Sequence, residues 1–153
     1  MADAVSILLV QGANMNWLGR RQPELYGTMT ATELDAMLLT AAAARGCRLD
    51  IFYTNIEGVA VDRIYAAAEA GCHGLLMNPA GFLLGGHALA DCLRAVRLPY
   101  VEVHMTNIER RGRTSVMAET ADGMIAGLGP YAYILGLDGL MRVIAGRMRE
   151  TEV

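Results

Sequence analysis

The 153-residue chain is 54% hydrophobic and 19% charged, a balance that excludes disorder and supplies the core of one α/β domain. Its net charge is −3 and its 13 cationic residues are all arginine, which leaves no electrostatic case for nucleic acid. No apolar run is long enough to span a bilayer, and the N-terminus lacks a basic signal-peptide segment. Cys47, Cys72 and Cys92 show neither CxxC nor metal-type spacing, so they read as reduced thiols of a cytoplasmic protein without a metal site.

Residues 4–10 are an apolar run that reads as a buried first strand. Residues 11–27, QGANMNWLGRRQPELYG, are too long and too polar for a tight turn. Structureless loops of this length are commonly functional, and Trp17, Leu18 and Leu25 give this one apolar residues to close with. It reads as an active-site lid after the first strand. Thr30-Ala31-Thr32-Glu33 has the form of a capping box and opens a helix to about Ala44, stopped by Gly46. Residues 48–54 read as the second strand. Asn55 is the expected cap of a helix running to about Ala70 and ended by Gly71.

Residues 74–78 form a short third strand, and Gly85 or Gly86 opens a helix to about Val96. Residues 99–103 carry the fourth strand, and an Arg-rich loop runs from His104 to about Met117. Residues 121–126 read as the fifth strand, weakened by an Asp-Gly pair, and Pro130 starts a last helix to about Met148. Strands alternating with helices imply a parallel sheet covered on both faces. The expected fold is a flavodoxin-like, doubly wound five-stranded sheet in three α/β/α layers, as a single domain over residues 1–153.

Such sheets bind ligands at the carboxyl ends of their strands. Asn14, Arg21 and Tyr26 follow the first strand, and Asn55 and Glu57 the second; Asn78 ends the third, and Glu102 and His104 end the fourth. Polar side chains converging from four loops are the signature of an active site. No GxGxxG or Walker spacing follows the first strand, so a nucleotide or flavin site is unsupported and no cofactor is expected.

The segments NMNWLGRRQPELYG, TNIEG, MNPAG, ALADCL and EVHMTNI resemble, in order and spacing, the motifs of the type II 3-dehydroquinate dehydratases. The resemblance covers nearly the whole chain. It implies an anti elimination of water from a cyclic β-hydroxy ketone acid through an enolate. On that resemblance Tyr26 is the base, and Arg21 favours its phenolate. Asn14 helps hold the water that polarises the enolate oxygen. His104 is the acid for the departing hydroxyl, and Glu102 orients and charges it. Asn78 and the backbone N–H groups of Met105 and Thr106 anchor the substrate carboxylate. Asp91 reaches a neighbouring subunit's site. The implied partners are a small carboxylic acid substrate and further copies of the chain, in trimers that build a dodecamer.

Taken singly, each residue also has a structural reading. Tyr26-Gly27 and Asn78-Pro79 suit turns, a strand-end His104 suits a satisfied core histidine, and Glu57 suits a helix N-terminus.

The chain departs from the family pattern inside the expected pocket. Leu83 and Leu84 stand where the family has a threonine and a histidine that contacts a ring hydroxyl. Ala90 replaces a helix arginine, and Gln11 and Ala13 replace an asparagine and a proline. The fourth loop is shortened to RRGRTS, in which Arg111 or Arg113 takes the place of a substrate-binding arginine. His87, one helical turn beyond Leu84, is either a substitute for the missing histidine or a surface residue; His73 is expected to be exposed. The acid–base half is retained while the hydroxyl-reading half has turned apolar. Two functions are therefore carried forward: dehydration of 3-dehydroquinate itself, or the same machinery in a diverged paralogue acting on a less hydroxylated cyclic or polyketide-like acid in secondary metabolism. A third is a non-catalytic ligand-binding homologue.

Overall fold

The structure is a computed structural model that describes residues 3–153. Its elements in chain order are β1 (Val5–Ala13), α1 (Pro23–Tyr26), α2 (Ala31–Ala44), β2 (Cys47–Tyr53), α3 (Glu57–Glu69), β3 (Gly74–Ala80), α4 (His87–Val96), β4 (Tyr100–His104), β5 (Gly123–Ala126) and α5 (Tyr131–Thr151). The strands form one sheet in the order β2-β1-β3-β4-β5, and every neighbouring pair is parallel. The expected flavodoxin-like α/β fold is the one observed.

Successive residues of β1 feed opposite cores, which is why the strand reads as an unbroken apolar run. Ile7 and Leu9 pack with Leu34 and Leu38 of α2 and Leu137 and Leu140 of α5. Leu8 and Val10 pack with Ala60 and Ile64 of α3 and Leu89 and Leu93 of α4. The capping box of α2 is present in both directions: Glu33 N–H donates to Thr30 Oγ1 at 3.2 Å, and Thr30 N–H to Glu33 Oε2 at 2.8 Å.

Several boundaries differ from the sequence reading, and they move the site. β1 continues through Gln11–Gly12–Ala13, pairing as far as Ala13 with Ala80 of β3. A Cβ on Gly12 would lie 2.1 Å from the Pro79 carbonyl oxygen, so only glycine lets the two strand ends run this close. The lid therefore starts at Asn14, in the left-handed region with φ 76°. It is not irregular throughout, since it holds a 3₁₀ turn at Met15–Trp17 and the single-turn α1.

Asn55 is not the cap of α3. Ile56 holds that position, and Asn55 Oδ1 instead accepts the Asn14 N–H at 2.7 Å, tying the lid's first residue to the end of β2. His73 is not an exposed turn residue either; it is half-buried, and its Nδ1 accepts the Ser6 N–H at 3.0 Å. The Asp-Gly pair does not prevent β5, because Asp122 turns its carboxylate onto the Tyr100 N–H at 2.9 Å and the Arg147 guanidinium at 2.6 Å. No helix among the described residues is long and apolar enough to cross a membrane.

Candidate active site

β4 places Tyr100, Glu102 and His104 on one face by strand alternation. All three are buried. Tyr100 donates its hydroxyl hydrogen to Glu102 Oε2 at 2.8 Å, and His104 Nε2 lies 2.6 Å from Glu102 Oε1. Burial, reinforced by the neighbouring carboxylate, pushes the Tyr100 phenol well above its ordinary range, so it stays a donor. A buried carboxylate is costly without partners, and here each oxygen has one. With Nε2 held by Glu102, Nδ1 is the ring nitrogen left for proton exchange in the cleft.

Tyr26, the last residue of α1, lies between two guanidiniums. Its hydroxyl oxygen accepts from Arg21 Nη2 at 3.3 Å and from Arg111 Nη1 at 3.1 Å. The Arg21 Cζ also sits 4.5 Å from the ring centroid, within cation–π range. Arg111 Nη1 is held in turn by Thr106 Oγ1 at 3.1 Å. Two charged donors thus converge on one phenol oxygen.

Asn78 is 4% exposed at the end of β3, where Ala80 N–H donates to its Oδ1 at 3.0 Å. Among the described residues, the N–H groups of Met105 and Thr106 have no backbone acceptor. These groups surround a cleft of about 170 Å³ in which Tyr26, Arg21 and Arg111 stand with His104 and Asn78, and which Arg113 also reaches. The rest of its wall includes the apolar Met15, Leu83 and Ile108 and the polar Gln22.

The structure thus brings Arg21, Tyr26, Asn78, His104, Met105, Thr106 and Arg113 to one cleft, with Glu102 directly behind His104. Asn14 stands at the rim: a Cβ on Gly81 would come within 3.0 Å of Asn14 Nδ2.

Leu84 does not line this cleft. It is 55% exposed, because the turn after β3 directs Leu83 inward and Leu84 out. Asp91 lies on the exposed flank of α4 and pairs with Arg94 at 3.0 Å. His87 shares a separate surface groove with Asp91 and Arg94. Glu57 is outside the cleft too, accepting the Leu89 N–H at 3.2 Å and so joining α3 to α4.

Both Arg111 and Arg113 reach the cleft, so the sequence's choice between them does not arise. Two roles were missed. Tyr100 was detectable, since Tyr-x-Glu-x-His puts all three side chains on one strand face. That Arg111 meets Tyr26, 85 residues away, carries no local signal.

A parallel α/β sheet with a phenol between guanidiniums and a carboxylate-backed histidine at its carboxyl edge defines a protein equipped for acid–base chemistry. Residues 5–141 match the family described as Dehydroquinase class II, and the chain belongs to that family. It is 41% identical over 136 residues to a 3-dehydroquinate dehydratase of Ralstonia pickettii, spanning 87% of this chain and 88% of that one. It is 42% identical over 138 residues to a 3-dehydroquinate dehydratase of Xanthomonas oryzae, spanning 88% and 93%. The crystal structure of a type II dehydroquinase from Butyrivibrio crossotus superposes with a TM-score of 0.88 at 28% identity, covering 91% of this chain and 99% of that one.

Proposed function

We propose that this protein is a hydro-lyase that converts 3-dehydroquinate to 3-dehydroshikimate through an enolate. The observation that carries the reading is Tyr26 held by Arg21 and Arg111 in the same cleft as the Glu102-backed His104. Tyr26 removes the proton beside the ketone, its oxygen fixed in the cleft by the two guanidinium donors. His104 delivers a proton from Nδ1 to the departing hydroxyl while Glu102 stabilises the imidazolium through Nε2. Asn78 and the free N–H groups of Met105 and Thr106 bind the substrate carboxylate, Arg113 adds positive charge, and Asn14 holds the water at the enolate oxygen from the rim.

The apolar part of the wall favours a second reading. Leu83, Met15 and Ile108 offer no partner to a ring hydroxyl, and an unpaired buried hydroxyl costs about 1–3 kcal/mol. On this reading the same acid–base set acts on a less hydroxylated cyclic or polyketide-like acid.

We further propose a trimer-based dodecamer in the cytoplasm. The apolar residues exposed at the starts of α3 and α4 support the assembly, and three free thiols suit a reducing compartment. Asp91 then serves a neighbouring protomer's site.

Turnover of 3-dehydroquinate, followed as growth of enone absorbance, decides between the substrates. Activity in the wild type, reduced about 10³-fold or more in Tyr26→Phe, is the expected result. No turnover by the folded wild type rejects 3-dehydroquinate and leaves the less hydroxylated acids.

A further inference from the structure

Gln11, Tyr53 and Asn78 stand in one register across three strands, Gln11 pairing with Tyr53 on β2 and with Asn78 on β3. Gln11 follows Ile7 and Leu9 on the sheet face covered by α2 and α5. Polar side chains in an apolar core are tolerated only when partnered. Tyr133 of α5, fully buried, is the partner. Asn78 Nδ2 donates to the Tyr133 oxygen at 2.8 Å, and the Tyr133 hydroxyl donates to Gln11 Oε1 at 2.7 Å.

The Ala80 N–H sets the polarity of this row. It can only donate, and at 3.0 Å from Asn78 Oδ1 it fixes which edge of the carboxamide faces it. Nδ2 must then face Tyr133, and the Tyr133 oxygen, accepting from Asn78, must turn its hydrogen to Gln11. Burial pushes the Tyr133 phenol above its ordinary range, so that hydrogen is retained. The second Nδ2 hydrogen is donated to Met15 Sδ, a weak acceptor 3.5 Å away in the cleft wall that a substrate oxygen would replace.

Gln11 does not fit a purely structural role. Its Nε2 is buried with no hydrogen-bond partner. Methionine would occupy a similar volume without that orphan donor. What methionine would lose is the acceptor for Tyr133.

We propose that Gln11 and Tyr133 are positioning residues that hold the Asn78 carboxamide with its N–H edge toward the cleft, so that this anchor donates to an anionic oxygen and cannot turn round to accept. Naming that oxygen as the substrate carboxylate rests on the dehydroquinase reading; the orientation of Asn78 does not.

Two readouts test it. In ¹⁵N-labelled protein the Asn78 side-chain NH₂ signal, assigned by its loss in Asn78→Asp, is expected to be slow to exchange, with two well-separated hydrogens. Both features should be lost in Tyr133→Phe and reduced in Gln11→Met. For 3-dehydroquinate each variant should raise KM about tenfold with kcat within about threefold, and the double variant should be no worse than Tyr133→Phe alone.

A wild-type Asn78 signal and unchanged KM in both variants would overturn the proposal, as would equal losses in kcat at constant KM. Gln11→Met decides the matter if Tyr133→Phe fails to fold. A wild type inactive on 3-dehydroquinate rejects the substrate assignment, and the Asn78 signal then judges the row by itself.

Discussion

Glu102 shows how a single residue's environment sets its use. A buried carboxylate with only the histidine as partner would leave one oxygen without a hydrogen bond. Tyr100 supplies the second bond, on Oε2. Glu102→Gln keeps an acceptor for His104 Nε2 and removes the charge, so the protein should fold normally and lose about 10²-fold in kcat, measured at saturating substrate. A kcat within about threefold of wild type would show that orientation alone is needed. At this scale the sequence was informative where geometry is local. Strand alternation ties Glu102 to His104, and a shared lid ties Arg21 to Tyr26. It was uninformative where a side chain's direction depends on a turn. Leu83 and Leu84 are chemically alike neighbours, and only the turn after β3 decides that one lines the cleft and the other faces outward.

At the scale of elements, the alternation of apolar runs and capped helices was enough to give the order of strands and helices. The strand ends were not legible, because Gln11–Ala13 and Pro79–Ala80 are polar, small or proline residues that extend their strands only by pairing with each other. That extension puts Gln11 and Asn78 in one row and moves the lid's origin to Asn14. The row's outer neighbour, Tyr53, donates to Asp35 of α2 at 2.7 Å, joining α2 to the sheet. Desolvation holds the Asp35 carboxyl above its ordinary pKa, with the Tyr53 bond opposing. Folded protein therefore binds this proton more tightly than the unfolded chain does. The stability Asp35 contributes is fully present below the ordinary carboxylate range and is lost as pH rises through the raised value. Asp35→Asn keeps an acceptor for Tyr53 and removes the titration. In urea unfolding from about pH 3 to about pH 7, it should match wild type at the acid end and exceed it at neutral pH. A variant weaker than wild type at neutral pH would show that the charged form is the stabilising one.

For the whole molecule, the question is why the fold leaves large apolar side chains uncovered. Ile56 is 63% exposed and Leu84 55%, with Val59 at 40%. Ile56 and Val59 stand at the start of α3 and Leu84 just before α4, and the Glu57–Leu89 bond joins these two helix ends. The apolar residues therefore gather at one corner, beside the turn that carries Leu83 into the cleft. Covering a leucine side chain contributes about 1.5–3 kcal/mol, and repetition around a closed ring multiplies that gain. If the assembly is built from trimers through this corner, light scattering should give a mass that is a multiple of three protomers. Leu84→Glu should then yield a folded, smaller species, because a glutamate cannot be buried there unpaired. Its activity should fall with the assembly although Leu84 does not line its own cleft, if Asp91, on the exposed flank of the adjoining helix, serves a neighbouring protomer's site as proposed. An unchanged mass in Leu84→Glu would place the protomer contacts elsewhere on the surface. Lost mass with full activity would show instead that each protomer's cleft is complete by itself.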